Sequence, residues 1–340
     1  MWNFPLFPDK ASALAGSVDT LFFVWLGLAG SVAFAIAILI VFFSVKYRRG
    51  SKADREMAPQ AVQQKRNRRI EFAWIVTPLI LFLLMFGWAA ALYYEHAAAP
   101  DNAMEIYVLG KQWMWKLEHA GGQREINELH VPLGRPIKLV MTSQDVIHDF
   151  FMPVFRIKQD VLPGRYTTLW FTATKTGDYH VFCSQYCGTD HSRMIGHVVV
   201  MEPAAFEDWL VSGNNAGNNA GNNAGNYAGN TSSSRLPTMA AQGAARFREY
   251  GCSGCHGASA SVHAPKLEGL FGKPVQLSDG STVIADERYI HDSVMLPKKE
   301  ITAGYAPIMP SFAGQIGEEE LLDIIEYIKS LKNASPGVVR

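Results

Sequence analysis

Residues 21–45 run for 25 positions without a charge, and residues 72–94 run for 23. A bilayer core of about 30 Å is crossed by about 20 helical residues, so each run is long enough to span it. A buried core helix could carry one such run, but two of them separated by a basic loop read as membrane spans. Pro78 falls inside the second, where membrane helices tolerate a break better than soluble ones. Between the runs stand Lys46, Arg48, Arg49, Lys52, Arg55, Lys65, Arg66, Arg68 and Arg69, opposed by Asp54, Glu56 and, at the edge of the second run, Glu71. The positive-inside rule puts this loop in the cytoplasm and everything after Glu95 outside. The weakly charged first twenty residues lead straight into a long span, which predicts an external N-terminal segment (1–20) and an uncleaved anchor (21–94) rather than a signal peptide.

Charged residues make up 18% of the chain, below the ~25% of ordinary soluble proteins, and the two spans account for the deficit. Lys plus Arg and Asp plus Glu number 31 each, so no basic excess points to a nucleic-acid partner. The four cysteines fall in two close pairs, Cys183/Cys187 and Cys252/Cys255, a spacing suited to cofactor ligation rather than to a disulfide framework.

Three segments follow the anchor. Residues 95–212 hold short β-rich runs (104–109, 137–141, 166–172, 179–183 and 196–201) separated by Gly- and Pro-bearing turns, the pattern of a β-sandwich or barrel. Residues 213–236 repeat Gly-Asn-Asn-Ala with no apolar face, which predicts a flexible linker. Residues 237–340 predict a helical domain whose last helix, 318–332, carries Leu321, Leu322, Ile324, Ile325, Ile328 and Leu331 as a core stripe.

Cys252-Ser253-Gly254-Cys255-His256 is the C-x-x-C-H pattern, in which two thiols form thioethers to haem and the adjacent His supplies an axial nitrogen. Met309, between Pro307 and Pro310, is the preferred second axial ligand because a rigid loop can aim its thioether. Met295, His263 and His291 are the competing candidates. Together with the run Ala264-Pro265-Lys266-Leu267 and Met309, the motif resembles class I cytochrome c over about residues 238–333. That resemblance implies an all-α fold, one covalent haem c, and a Pro265 carbonyl that accepts a hydrogen bond from the axial His256.

Within twelve residues the chain places Cys183, Cys187, His191 and Met194, and His148 precedes them by 35. Thiolate, imidazole and thioether together form the soft, mixed set that selects copper for electron transfer. Two thiolates and two imidazoles exceed the needs of one blue-copper centre, whereas a binuclear centre would use them all. In order along the chain, Gln112-Trp113-Met114-Trp115, Asp145-Val146-Ile147-His148, Leu162-Pro163-Gly164-Arg165 and the 183–194 loop resemble the Cu-A domain of cytochrome c oxidase subunit II. The resemblance implies a cupredoxin-like Greek-key sandwich with two copper ions. One copper would take His148 and Met194, the other His191 and the main-chain carbonyl of Gln185, with Cys183 and Cys187 bridging. It also implies Trp113 as the point of electron entry and Glu71 as the acid at a proton-channel entrance. The family commonly has Glu where this chain has Gln185, which puts the side-chain contribution to a magnesium site at the subunit I interface in question.

The chain is therefore expected to be multidomain: a two-helix transmembrane hairpin, an all-β cupredoxin and an all-α class I cytochrome c. By resemblance it is subunit II of a caa3-type oxidase in a bacterial inner membrane, its soluble domains on the periplasmic face. Its partners would be subunit I with haem a, subunit III and further small subunits, and an external cytochrome or quinol-oxidising donor. A nitric oxide reductase subunit is the nearest alternative. A copper-binding assembly protein is the alternative from a different class, and the C-x-x-C-H motif counts against it. The remaining histidines, His96, His119, His130, His180 and His197, show no ligand-like spacing and read as ordinary surface or sheet residues.

Overall fold

The structure, a computed structural model, describes residues 7–51, 60–220, 237–257 and 264–333. It separates into two units, residues 14–98 and residues 1–13 with 99–340.

The first unit is two helices, α1 (Ala15–Lys46) and α2 (Gln60–Glu95), the second with Pro78 inside it. Each starts ahead of its uncharged run, because extending a nucleated helix costs far less than starting one. Residues 15–20, expected outside the span, thus belong to α1, and the basic stretch around Arg66–Arg69 is already helical. Almost none of the apolar surface in their spanning windows is buried within the chain; Phe34 and Leu84 are 68% and 65% exposed. Such surface needs lipid or partner helices to cover it. Lys52, Asp54, Arg55 and Glu56 of the basic loop lie outside the described residues.

In the second unit the predicted β region forms ten strands: β1 (Met104–Lys111), β2 (Met114–His119), β3 (Arg124–Ile126), β4 (Glu128–Pro132), β5 (Pro136–Ser143), β6 (His148–Met152), β7 (Ile157–Val161), β8 (Thr167–Thr172), β9 (Gly177–Cys183) and β10 (Ile195–Met201). They make two five-stranded sheets, β3-β2-β1-β5-β8 and β4-β10-β9-β6-β7. β1 pairs in parallel with β5, and β4 in parallel with β10. The N-terminal segment is stitched to this sandwich. The Ala13 N–H donates to Thr172 O (3.0 Å), the Thr174 N–H to Ala11 O (2.8 Å), and the Arg156 guanidinium to the carbonyls of Pro8 and Asp9. Helix α3 (Pro203–Ala220) follows β10 and runs on through residues 213–220, the first part of the expected flexible linker. Alanine-bearing repeats can prolong a helix that an apolar turn at Phe206 and Trp209 has started. Residues 221–236 of that linker lie outside the described residues.

The last segment contains α4 (Met239–Glu249), α5 (Ser253–His256), a short hairpin of β11 (Pro274–Gln276) and β12 (Thr282–Ile284), α6 (Glu287–Met295) and α7 (Glu318–Ser330). Caps set the helix starts: Thr238 Oγ1 accepts from the Ala241 N–H (3.2 Å) and Asp286 Oδ1 from the Tyr289 N–H (2.8 Å). Glu318, Glu319 and Glu320 sit at the positive end of α7, and its stripe of Leu321, Ile324, Ile325 and Ile328 is core, as the spacing predicts. Helices α4 and α7 touch through Gly243, where a Cβ would lie 1.9 Å from Asp323 O.

This helical domain is docked on the first sheet. Met239 and Leu322 pack with Tyr107 and Val140 in one buried cluster that Tyr166 borders, and the Tyr166 ring meets His291 edge-on at 5.7 Å. Around the cluster, the Tyr107 hydroxyl donates to Glu326 (2.6 Å) and Lys329 pairs with Glu105, Glu287 and Glu326. Lys116 pairs with Glu319, while Arg124 bridges Glu118 (3.1 Å) and Asp323 (3.6 Å). Burial works against the charge of Lys329, but its three carboxylates raise its pKa overall.

Burial outweighs the pull of Arg124 on Glu118 and Asp323 and pushes their pKa values up to about 7 and about 6. Both therefore hold protons more tightly when docked than a free carboxyl with a pKa near ~4. Their contribution favours docking in acid and is lost as the pH rises through 6 to 7. We predict that the cytochrome-like domain is cut free by protease more readily at pH 8 than at pH 5, and that Glu118→Gln flattens this dependence. Equal cleavage at both pH values in the wild type would contradict the assignment.

Candidate functional site

The 183–194 loop is closed at its base, because β9 ends at Cys183 beside the start of β10 and the Cys183 N–H donates to Met194 O (3.2 Å). β6 lies against β9, with Phe150 opposite Cys183, so His148 at the head of β6 arrives beside the loop. The distant histidine of the sequence thus becomes a neighbour through strand pairing. Cys183 Sγ lies 3.7 Å from Cys187 Sγ, 3.9 Å from His148 Nδ1 and 3.2 Å from Gln185 O. Cys187 Sγ lies 3.4 Å from His191 Nδ1 and 3.8 Å from Met194 Sδ. All six sequence candidates therefore converge, and His148, Cys183, Cys187 and Met194 are buried.

The electrostatics show what such a site asks for. Burial raises the Cys183 thiol, but hydrogen bonds from His148 and the main chain lower it below the usual thiol range. Burial and the neighbouring Cys183 push Cys187 up to about 12. Two thiolates this close repel each other in a dry site, so both ionise together only if cations sit between them. Free thiols with imidazole, thioether and carbonyl donors fit a soft metal pair.

Supporting contacts add residues whose individual roles the motifs did not reveal. Asp145 Oδ1 lies 2.8 Å from His148 Nε2, leaving Nδ1 aimed at the thiols, which is the carboxylate–imidazole pairing that orients metal ligands. Burial raises the Asp145 carboxyl, but the Gln112 N–H and His148 bring it below the carboxylate range. The Gln112 amide donates to Cys187 O (2.7 Å). A Cβ on Gly110 would lie 3.0 Å from the His148 ring, so the close approach there needs glycine. The signal for Asp145 was its place three residues before His148. Trp115 is buried, edge-on to Phe150 at 4.9 Å. Trp113 lies at the β1–β2 turn against Gly188 of the loop, where a Cβ would be 3.2 Å from its ring. Glu71 is exposed on α2 and belongs to neither cluster.

In the helical domain, Cys252, Cys255, His256, Pro265 and Met309 line one cavity, whose other walls include Phe247, Leu267, Tyr289, Ile324 and Ile328. His256 Nδ1 lies 3.0 Å from Pro265 O, so Nδ1–H donates to the carbonyl and the lone pair stays on Nε2. An apolar slot with two thiols, a fixed imidazole and a thioether fits a covalently held haem. Of the competing axial candidates, Met295 packs against the hydrophobic core. His291 is turned to Asp292 (3.2 Å), Glu318 (3.5 Å) and Tyr166. His263 lies outside the described residues.

Known proteins agree with both halves. Residues 122–202 match the family described as cytochrome C oxidase subunit II, periplasmic domain, and residues 240–332 match cytochrome c. A protein of Alkalihalophilus pseudofirmus named cytochrome c oxidase subunit 2 is 26% identical over 319 residues, 90% of this chain and 84% of its own. An alternative cytochrome c oxidase subunit 2 of Bradyrhizobium diazoefficiens is 27% identical over 196 residues, 46% of this chain and 71% of its own. The crystal structure of the periplasmic domain of subunit II of cytochrome oxidase of Bradyrhizobium japonicum shares 32% identity, covering 35% of this chain and 99% of that one, with a TM-score of 0.34. With one family model on the sandwich and another on the helical domain, the chain belongs to the cytochrome c oxidase subunit II family, in a form that carries a fused cytochrome c domain.

Proposed function

We propose that this chain is the electron-entry subunit of a caa3-type oxidase, passing electrons from an external donor through its haem site and its copper site towards haem a of subunit I. Oxygen is reduced there to water, coupled to proton pumping. The observation that carries this reading is the convergence of six copper-type donors in the same chain that holds a C-x-x-C-H cavity lined by Met309. His148 Nδ1 and Met194 would hold one copper, His191 Nδ1 and the Gln185 carbonyl the other, with Cys183 and Cys187 shared between them. Copper held by these residues would supply single-electron transfer. The protein's part is to keep that geometry fixed. Asp145 locks the His148 ring, Gln112 holds the Cys187 carbonyl, and burial keeps water from the thiols.

Trp113, packed on the metal loop, is the entry point assigned by the family resemblance. Cys252, Cys255, His256 and Met309 would hold haem c, with the Pro265 carbonyl fixing the imidazole. The segment before α1 and the chain after α2 fold into one body, which supports a hairpin with both ends on the periplasmic face of a bacterial inner membrane. Subunit I and subunit III would cover the exposed spans. Membrane purification with copper counting, haem analysis and oxygen uptake tests the whole reading. Two coppers and one haem c per chain are expected, and oxygen rather than nitric oxide consumption.

Three variants test its parts. Cys187→Ser should abolish the two-copper site, whereas Met194→Leu should keep both coppers and shift their potential, as measured by metal analysis and redox titration; two coppers in Cys187→Ser would refute the bridge. Met309→Leu should retain covalent haem but change its spectrum and lower its potential, since a thioether axial ligand raises it. Glu71→Gln should slow oxygen consumption in the intact complex while haem c and copper are reduced at normal rates. Unchanged turnover would remove Glu71 from the proton path.

A further inference from the structure

The cavity of the helical domain is almost without charge. Aromatic and aliphatic side chains make most of its wall, and the hydroxyls of Tyr250 and Tyr289 are satisfied by Glu320 (2.7 Å) and Thr302 (2.8 Å). Among the described residues that line it there is no Lys or Arg and one acid, Glu300. Glu300 follows α6, and its side chain is only 12% exposed. One oxygen, Oε1, accepts from Arg288 Nη1 of α6 at 3.0 Å. The other, Oε2, is buried with no hydrogen-bond partner.

A buried carboxylate oxygen ordinarily finds a donor, because desolvation without a hydrogen bond is costly. Arg288 is 38% exposed and also reaches Asp292 (3.4 Å), so it neutralises Glu300 incompletely. The wall of an apolar cavity therefore carries a fixed negative charge, in surroundings poor in the dipoles that would screen it. Oxidising a haem iron from ferrous to ferric removes one electron and adds one positive charge to the group. A carboxylate in the wall of the same cavity favours the ferric form and lowers the potential, in opposition to a thioether axial ligand, which raises it.

Resting on the reading of this cavity as a haem c site, we propose that Glu300 tunes the haem potential, holding it down so that the single electron of the ferrous haem passes more readily to the copper site. Glu300 acts through space, and Arg288 is its counterweight on the solvent side. The test is a spectroelectrochemical titration of the haem absorption in the full-length chain, loaded with haem and copper in detergent. Glu300→Gln should raise the ferrous-to-ferric ratio at a fixed potential about threefold, ~28 mV at 59 mV per tenfold. Arg288→Gln should shift the ratio in the opposite sense, which general damage to the cavity would not do. Glu249→Gln removes an equal charge at a side chain of the same domain that is 58% exposed and lies outside the cavity wall, and should leave the ratio unchanged. An unmoved potential in Glu300→Gln, an unmoved or raised potential in Arg288→Gln, or a shift in Glu249→Gln as large as that of Glu300→Gln would each overturn the proposal. Arg288→Gln keeps the test decisive if Glu300→Gln fails to retain haem. A wild-type chain without covalent haem would instead overturn the reading of the cavity itself.

Discussion

Strand β1 is buried on both faces, and the rest of the soluble unit is arranged around that fact. Ile106 and Val108 turn inward and Tyr107 outward, yet all three are inaccessible to water. A strand of a one-sided sheet would leave the outer set wet. Here the outer set is closed by Met239 and Leu322 of the cytochrome domain, and the same strand pairs with both β2 and β5 before leading into Gln112 and Trp113 at the thiol loop. One element therefore serves the sandwich core, the domain interface and the approach to the copper donors.

The interface combines a small apolar centre with ion pairs that are largely withdrawn from solvent. Exposed ion pairs contribute little because water and salt screen them. Lys329 has a side chain only 12% exposed and faces three carboxylates. Removing any one partner would leave charge in a poorly solvated place, so these contacts specify a single docked orientation more than they add net stability. Besides the linker expected over residues 213–236, the two domains therefore also meet through this docked surface. The connector need not hold the haem cavity near the sandwich by length alone, since complementary surfaces already do so.

At the thiol site the same physics acts in the opposite sense. The fold brings two sulfurs to 3.7 Å and surrounds them with imidazole, thioether and carbonyl donors. Cys183 is drawn down by its hydrogen bonds while burial and the neighbouring Cys183 push Cys187 up, so the two thiols differ in how readily they ionise. Asp145 and Gln112 then matter as much as the ligands, because they fix where lone pairs point before any metal arrives.

Much of this was legible without coordinates. Uncharged runs, the basic loop and the two cysteine motifs follow from hydrophobic length and from ligand chemistry, both of which are local properties of the chain. His148 stood among the candidate donors by its chemistry, and only the pairing of β6 with β9 explains how residues 35 apart meet. The helical extension of α3 into the Gly-Asn repeats, the stitched N-terminal segment and the place of Glu300 in the cavity wall left no local signal. Strand register decides which distant residues become neighbours, and register depends on the whole sandwich. The apolar run of β1 did carry a trace of the docked domain, since unbroken hydrophobicity marks a strand covered on both sides. What covers it depended on surface complementarity between segments more than a hundred residues apart, which only the tertiary structure decides.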